Sequence, residues 1–155
     1  MLTADIVITA DCWRAEPGAE NIVQCAIVAA AAAAPGSADR AELAVMLTDD
    51  AGIRALNHDW RGIDKPTNVL SFPAIALPDS GSQPRALGDI AIAYETARHE
   101  AENENKPFGH HLSHLAVHGF LHLIGYDHET DDDAETMEEL ERRILARLGI
   151  PDPYA

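Results

Sequence analysis

Cysteine is almost absent from this 155-residue chain: Cys12 and Cys25 stand alone, without C-x-x-C spacing. A disulfide scaffold is excluded, and two idle thiols fit a reducing compartment. Long apolar runs are missing as well. The longest, Ile22 to Ala34, is mostly alanine, is broken by Gln24 and spans 13 residues, short of the ~20 needed to cross a bilayer. Asp5 precedes the first basic residue, Arg14, so the start lacks the charged region of a secretory signal. The expectation is a soluble, cytoplasmic protein with no membrane partner. Positive charge is the third scarcity: 11 Lys and Arg stand against 26 Asp and Glu, for a net charge of −15. Nine of those carboxylates lie between Asp127 and Glu141 with no Lys or Arg among them. Such a run reads as a solvated helix face and would repel a phosphate backbone. Coating nucleic acid through many basic contacts is therefore excluded. Any role on nucleic acid has to rest on a local site, a metal or a protein partner.

What is present is enough apolar sequence, 46% of residues, for one globular domain over 1–155. Ile6-Val7-Ile8, Glu42–Thr48, Val69–Phe72 and Leu87–Ala93 read as strands. Helical periodicity marks Pro17–Ala34, stopped by Pro35-Gly36, and a short helix after Asp49 or Asp50 that carries Ile53, Leu56 and Asn57. Further helices are expected over Tyr94–Glu104, Pro107–Ile124 and Ala134–Leu148. Arg61 to Asn68 reads as a polar loop, and the Pro-, Gly- and Ser-rich stretch Pro78–Pro84 as a candidate lid. The expectation is an α+β fold: a roughly four-stranded mixed sheet packed by helices, its strand order open.

The chemistry concentrates in one helix. His110, His114, His118 and His122 recur every four residues, so neighbours share a face about 6 Å apart in rise. Spacing alone permits 110/114, 114/118 or 118/122 as a chelating pair. The next residues select among them. Gly125 can end the helix in a left-handed conformation, letting the chain turn back and bring His128 to a metal held by His118 and His122. Three imidazoles with one open position form a catalytic rather than a structural zinc site. The expected cofactor is one Zn2+ ion, with other divalent transition metals possible. His110, His111 and His114 are expected not to be ligands, and His58 and His99 have no motif around them.

H-G-F-L-H-L-I-G-Y-D-H matches the zinc-protease pattern H-E-x-x-H-x-x-G-x-x-H except that Gly119 replaces the catalytic Glu. Glycine cannot take a proton from metal-bound water, which disfavours a peptidase. A phosphodiester, with its own anionic groups, suits such a site, provided a cation balances the charge that develops. Arg61 is the candidate, since a guanidinium can fork onto two phosphate oxygens; Lys65 can hold a neighbouring phosphate. No general base is identified; Asp127 and Asp89 are candidates that no motif supports.

W-R-G-I-D-K-P-T-N-V-L-S-F-P, L-G-D-I and V-H-G-F-L-H-L-I-G-Y-D-H-E, in that order, resemble the bacterial YbeY family of endoribonucleases from about Leu56 to Tyr154. The resemblance implies a single-domain, zinc-binding, single-strand-specific endoribonuclease. It would mature the 3′ end of 16S rRNA and act in ribosome quality control. It implies ribosomal RNA and the small ribosomal subunit or assembly factors as partners. His118, His122 and His128 match the family's metal ligands, and Arg61 its arginine in the cleft. Trp60 and Asn68 stand where relatives often have Tyr and Asp, and Asn68, with Lys65, is expected along the RNA path. Two other readings remain: a metal-binding ribosome-assembly factor that cleaves nothing, and a metallopeptidase without its usual Glu.

Overall fold

A computed structural model describes residues 2–34, 41–74 and 85–155. Strands β1 (Thr3–Ile8), β2 (Ala41–Thr48), β3 (Val69–Pro73) and β4 (Arg85–Ala93) form one sheet in the order β1-β2-β4-β3. β1, β2 and β4 run parallel, and β3 joins the edge antiparallel to β4, with Val69 opposite Ile92 and Pro73 opposite Gly88. The mixed α+β sheet expected from the sequence is present. Among the described residues the α-helices are α1 (Ala19–Ala33), α2 (Asp50–Arg61), α3 (Tyr94–Asn103), α4 (Phe108–Leu123) and α5 (Asp131–Arg147), and Asp11–Ala15 forms a short 3-10 helix. None of the described helices is long and apolar enough to cross a membrane. The expected lid at Pro78–Pro84 and the Pro35-Gly36 stop lie outside the described residues.

Alternation in the strands assigns two faces. Leu43, Val45 and Leu47 of β2 and Ile90 and Ile92 of β4 join the main core with α1, α4 and α5. Leu70, Ala91 and Ala93 point the other way and enclose Ile53 of α2, with Leu56 and Phe72 alongside. On the main face Trp13, buried and donating its indole N–H to Thr48 O at 2.7 Å, packs on Tyr94 and Phe108 and fixes the start of α4.

Two helix boundaries differ from the sequence reading. α5 begins at Asp131, three residues early, because Thr130 caps it by accepting from Asp133 N (3.1 Å), and Asp131 to Asp133 then suit the positive end of the helix. α2 runs on through Arg61 and stops at Gly62, whose φ is +71°. Arg61 is thus a helix-terminal residue rather than part of a loop. The loop that follows is tied down at Lys65, whose carbonyl accepts from the buried Asn57 Nδ2 at 2.9 Å.

Candidate metal centre

The last turn of α4 sits on the sheet through Gly119. A Cβ at that position would come within 2.9 Å of Ile90 Cγ2 and 3.3 Å of both Ser71 Oγ and Val69 Cγ2. Ser71 Oγ donates to Gly119 O at 2.9 Å, which tethers helix to edge strand. His118 and His122, one residue before and three after this contact, are half-buried and lie to the same side of Gly119 around the helix, about 100° and 60° from it. The absence of a carboxylate at 119 now has a steric cause: that face of α4 is inside the protein.

Beyond α4 the chain reverses at Gly125, whose φ is +106°. Gly125 N donates to His122 O (3.2 Å) and Tyr126 N to Leu121 O (3.0 Å), closing the turn that glycine permits. His128 is thereby returned to the helix. Ring centroids are 4.6 Å apart for His118–His122, 5.2 Å for His122–His128 and 5.7 Å for His118–His128. One nitrogen from each ring lies within 4.8 Å of the other two, and no other group of three such ligands occurs among the described residues.

The donor set fits a transition metal. His118 and His122 face each other through Nε2 atoms 3.1 Å apart; two nitrogens of a tetrahedral zinc site are separated by about 3.3 Å. The other nitrogen of His118 is engaged: Nδ1 lies 3.0 Å from Glu141 Oε1. Because a carboxylate only accepts, Nδ1 carries the hydrogen and Nε2 presents its lone pair. His122 is held below the usual histidine range, by burial first and then by the neighbouring charges of His118 and His128, against a bond to the Tyr126 backbone. A neutral imidazole is the form that ligates.

Glu141 was not found by sequence reasoning, which absorbed it into the acidic run of α5. It is fully buried. Its carboxyl is held down at about 2: the bonds from His114 and His118 outweigh burial, the largest single effect and one acting the other way. Its spacing from Met137, Leu140 and Ile144 was the only signal, since it places residue 141 on the buried side of α5. His114 donates its Nε2–H to the same oxygen at 2.9 Å, and is no part of the ligand group. His111 is buried with Nε2 2.9 Å from Glu100. Neither belongs to the cluster of three that could hold an ion.

The remaining expected residues are placed as follows. Asp127 accepts from Glu129 N at 3.2 Å in the turn, and Asp89 is exposed on β4. Arg61 and Lys65 are exposed, and neither side chain has a hydrogen bond or ion pair among the described residues. Trp60, beside Arg61, packs its ring 6.1 Å from Phe72, while Leu123, beside His122, comes up against Gly88 next to the end of β3. The ends of α2 and α4 therefore meet the same end of the edge strand from opposite faces of the sheet. Asn68 lies at the other end of β3, its Nδ2 donating to Glu100 at 3.0 and 3.3 Å.

A family model described as Endoribonuclease YbeY matches residues 11–149. Curated proteins named Endoribonuclease YbeY are similar over nearly the whole chain. That of Rhodopseudomonas palustris is 66% identical over 155 residues, covering 97% of this chain and 89% of its own. That of Bradyrhizobium diazoefficiens is 66% identical over 154 residues, covering 97% and 84%. That of Nitrobacter winogradskyi is 67% identical over 156 residues, covering 97% and 81%. The solution structure of a Thermotoga maritima protein shares the fold, with a TM-score of 0.55 at 22% identity over 94% of this chain and 91% of the other.

Proposed function

The chain belongs to the YbeY endoribonuclease family, and from that premise we propose that it is a metal-dependent endoribonuclease that cuts single-stranded RNA during ribosomal RNA maturation. The observation that carries the metal is the convergence of His118, His122 and His128. Zinc is the proposed ion, since three imidazoles suit it and leave a position open. When bound, it supplies a Lewis acid and a water acidic enough to ionise near neutral pH. The chain's own residues do the rest. His118 and His122 hold the site rigidly because Gly119 docks their helix on the sheet. Arg61, at the same end of β3 and without a partner among the described residues, neutralises charge that develops on the phosphate, and Lys65 holds a neighbouring phosphate. Asn68 would reach RNA only by releasing Glu100, so its proposed place on the RNA path is the outer one.

Maturation of the 16S 3′ end, quality control, a cytoplasmic setting and docking on the small subunit or its assembly factors belong to the same proposal. A partner protein would explain how a chain of net charge −15 meets an RNA. The peptidase reading is disfavoured by packing at Gly119, where no general base fits. The remaining rival, an assembly factor whose metal is structural, is separated by one comparison. Zinc-loaded wild type and Arg61→Ala are incubated with a single-stranded RNA oligonucleotide, and metal content is measured in both. Loss of cleavage with metal retained supports the enzyme; equal behaviour of the two removes Arg61 from the reaction, and no cleavage by wild type favours the assembly factor.

A further inference from the structure

Glu141 is accounted for neither by the histidine motif nor by the proposed reaction. Its Oε1 accepts from His114 Nε2 and His118 Nδ1, and its Oε2 accepts from the Tyr154 hydroxyl at 2.9 Å. All three donors hold a carboxylate that water does not reach. A buried charge survives only when so satisfied, and an obligate acceptor dictates where its partners keep their hydrogens. We propose that Glu141 is the positioning residue of the metal centre: it fixes His118 in its Nδ1–H form with Nε2 aimed at the ion. Tyr154, in the segment after α5, holds Glu141 and so couples that segment to metal affinity.

A merely structural role, joining α5 to α4, is the competing account. It leaves the carboxylate without a purpose, because Met137, Leu140, Ile144 and Leu145 already bury α5. An apolar residue among them would hold the helices as well or better. His114 belongs to the same device. It stands outside the ligand group and grips Oε1 from one turn earlier on α4, so the carboxylate cannot swing away from His118. Carboxylate–histidine–metal triads orient the ring and raise its basicity. The inference rests on the metal reading of the three histidines, not on RNA cleavage.

The test compares full-length wild type, Glu141→Gln and Tyr154→Phe by two readouts that need no activity. The first is the nitrogen NMR spectrum of the histidine rings in metal-free protein, which reports the tautomer of His118. The second is Zn2+ affinity, by competition with a chelator of known strength. Glu141→Gln is expected to weaken zinc binding about 10–100-fold and to mix the His118 tautomers. Tyr154→Phe, which leaves the carboxylate in place, is expected to weaken binding by less than about tenfold. A folded Glu141→Gln protein with wild-type affinity and an unmixed tautomer overturns the proposal. Should that variant fail to fold, Tyr154→Phe decides, and unchanged affinity overturns the coupling. Failure of wild type to bind zinc would overturn the metal reading itself, and is distinguishable because it appears before any substitution.

Discussion

Gly119→Ala sets two known quantities against each other. In the interior of a helix, alanine is more favourable than glycine by about 1 kcal/mol. At this site the added methyl would lie 2.9 Å from Ile90 Cγ2, with Ser71 Oγ and Val69 Cγ2 at 3.3 Å. Ile90 and Val69 are β-branched residues of paired strands and have little room to yield. Overpacking of this kind costs about 1–3 kcal/mol, so the net expectation is a loss of about 1 kcal/mol. Gly119→Glu adds a carboxylate facing Ile90 and Val69, and its burial costs several kcal/mol more. That is comparable with the whole stability of a small domain, about 5–15 kcal/mol. Urea unfolding of the metal-free proteins reads both effects, and zinc titration reads whether His118 and His122 have shifted. An alanine variant stabilised by the full 1 kcal/mol would refute the packing argument, as would a folded glutamate variant with wild-type zinc affinity.

Arg61→Ala should lower cleavage of single-stranded RNA by about 10²–10³-fold, as for loss of a charge-stabilising donor. Its melting temperature should stay at the wild-type value, because the side chain is exposed and has no hydrogen bond or ion pair among the described residues. His128→Ala should weaken zinc on the order of a hundredfold or more with little effect on the metal-free fold; competition with a chelator and a urea melt measure the two. The acid limb of stability should carry the signature of Glu141. Its carboxyl sits at about 2 against an ordinary 4.5, so its contribution is present above about pH 4.5 and fades as pH falls towards 2. The amount is roughly 3 kcal/mol. Urea unfolding of metal-free wild type and Glu141→Gln over that range should show the gap between them narrowing; a constant gap would contradict it.

The sequence carried the histidine cluster because that cluster is local. His118, His122, Gly125 and His128 lie within eleven consecutive residues, and helix periodicity plus one left-handed glycine is enough to bring them together. Strands and helices were legible for the same reason. What was not legible depends on contacts between distant segments. The order β1-β2-β4-β3 follows from pairing that no periodicity encodes. Glu141 was hidden because a solvated acidic face and a buried carboxylate have the same letters; only the packing of α5 on α4 tells them apart. Gly119 could be read as a missing base, but its reason, the approach of Ile90 and Ser71, is a property of the sheet. Arg61 was given to a loop, whereas α2 runs through it and ends at the left-handed Gly62, a stop that the hydrophobic pattern alone did not mark.

The same packing narrows the chemistry of cleavage. Position 119 is closed to a carboxylate, Glu141 is committed to three donors, Asp127 accepts from Glu129 N and Asp89 is exposed on β4. Of these, Glu141 and position 119 are closed to proton transfer. Glu138, half-buried, lines the same small cavity as His118, His128 and Glu141, and is the carboxylate there that could take a proton from water or from the RNA's 2′-hydroxyl. Hydrolysis by a metal-activated water is the proposed version, and it leaves no cyclic phosphate. A strand carrying a single 2′-deoxy nucleotide at the mapped scissile position should still be cut at the same bond and at a similar rate. End analysis of the products provides the second check. A 2′,3′-cyclic phosphate, or loss of cutting on removal of that one hydroxyl, would place the nucleophile on the RNA.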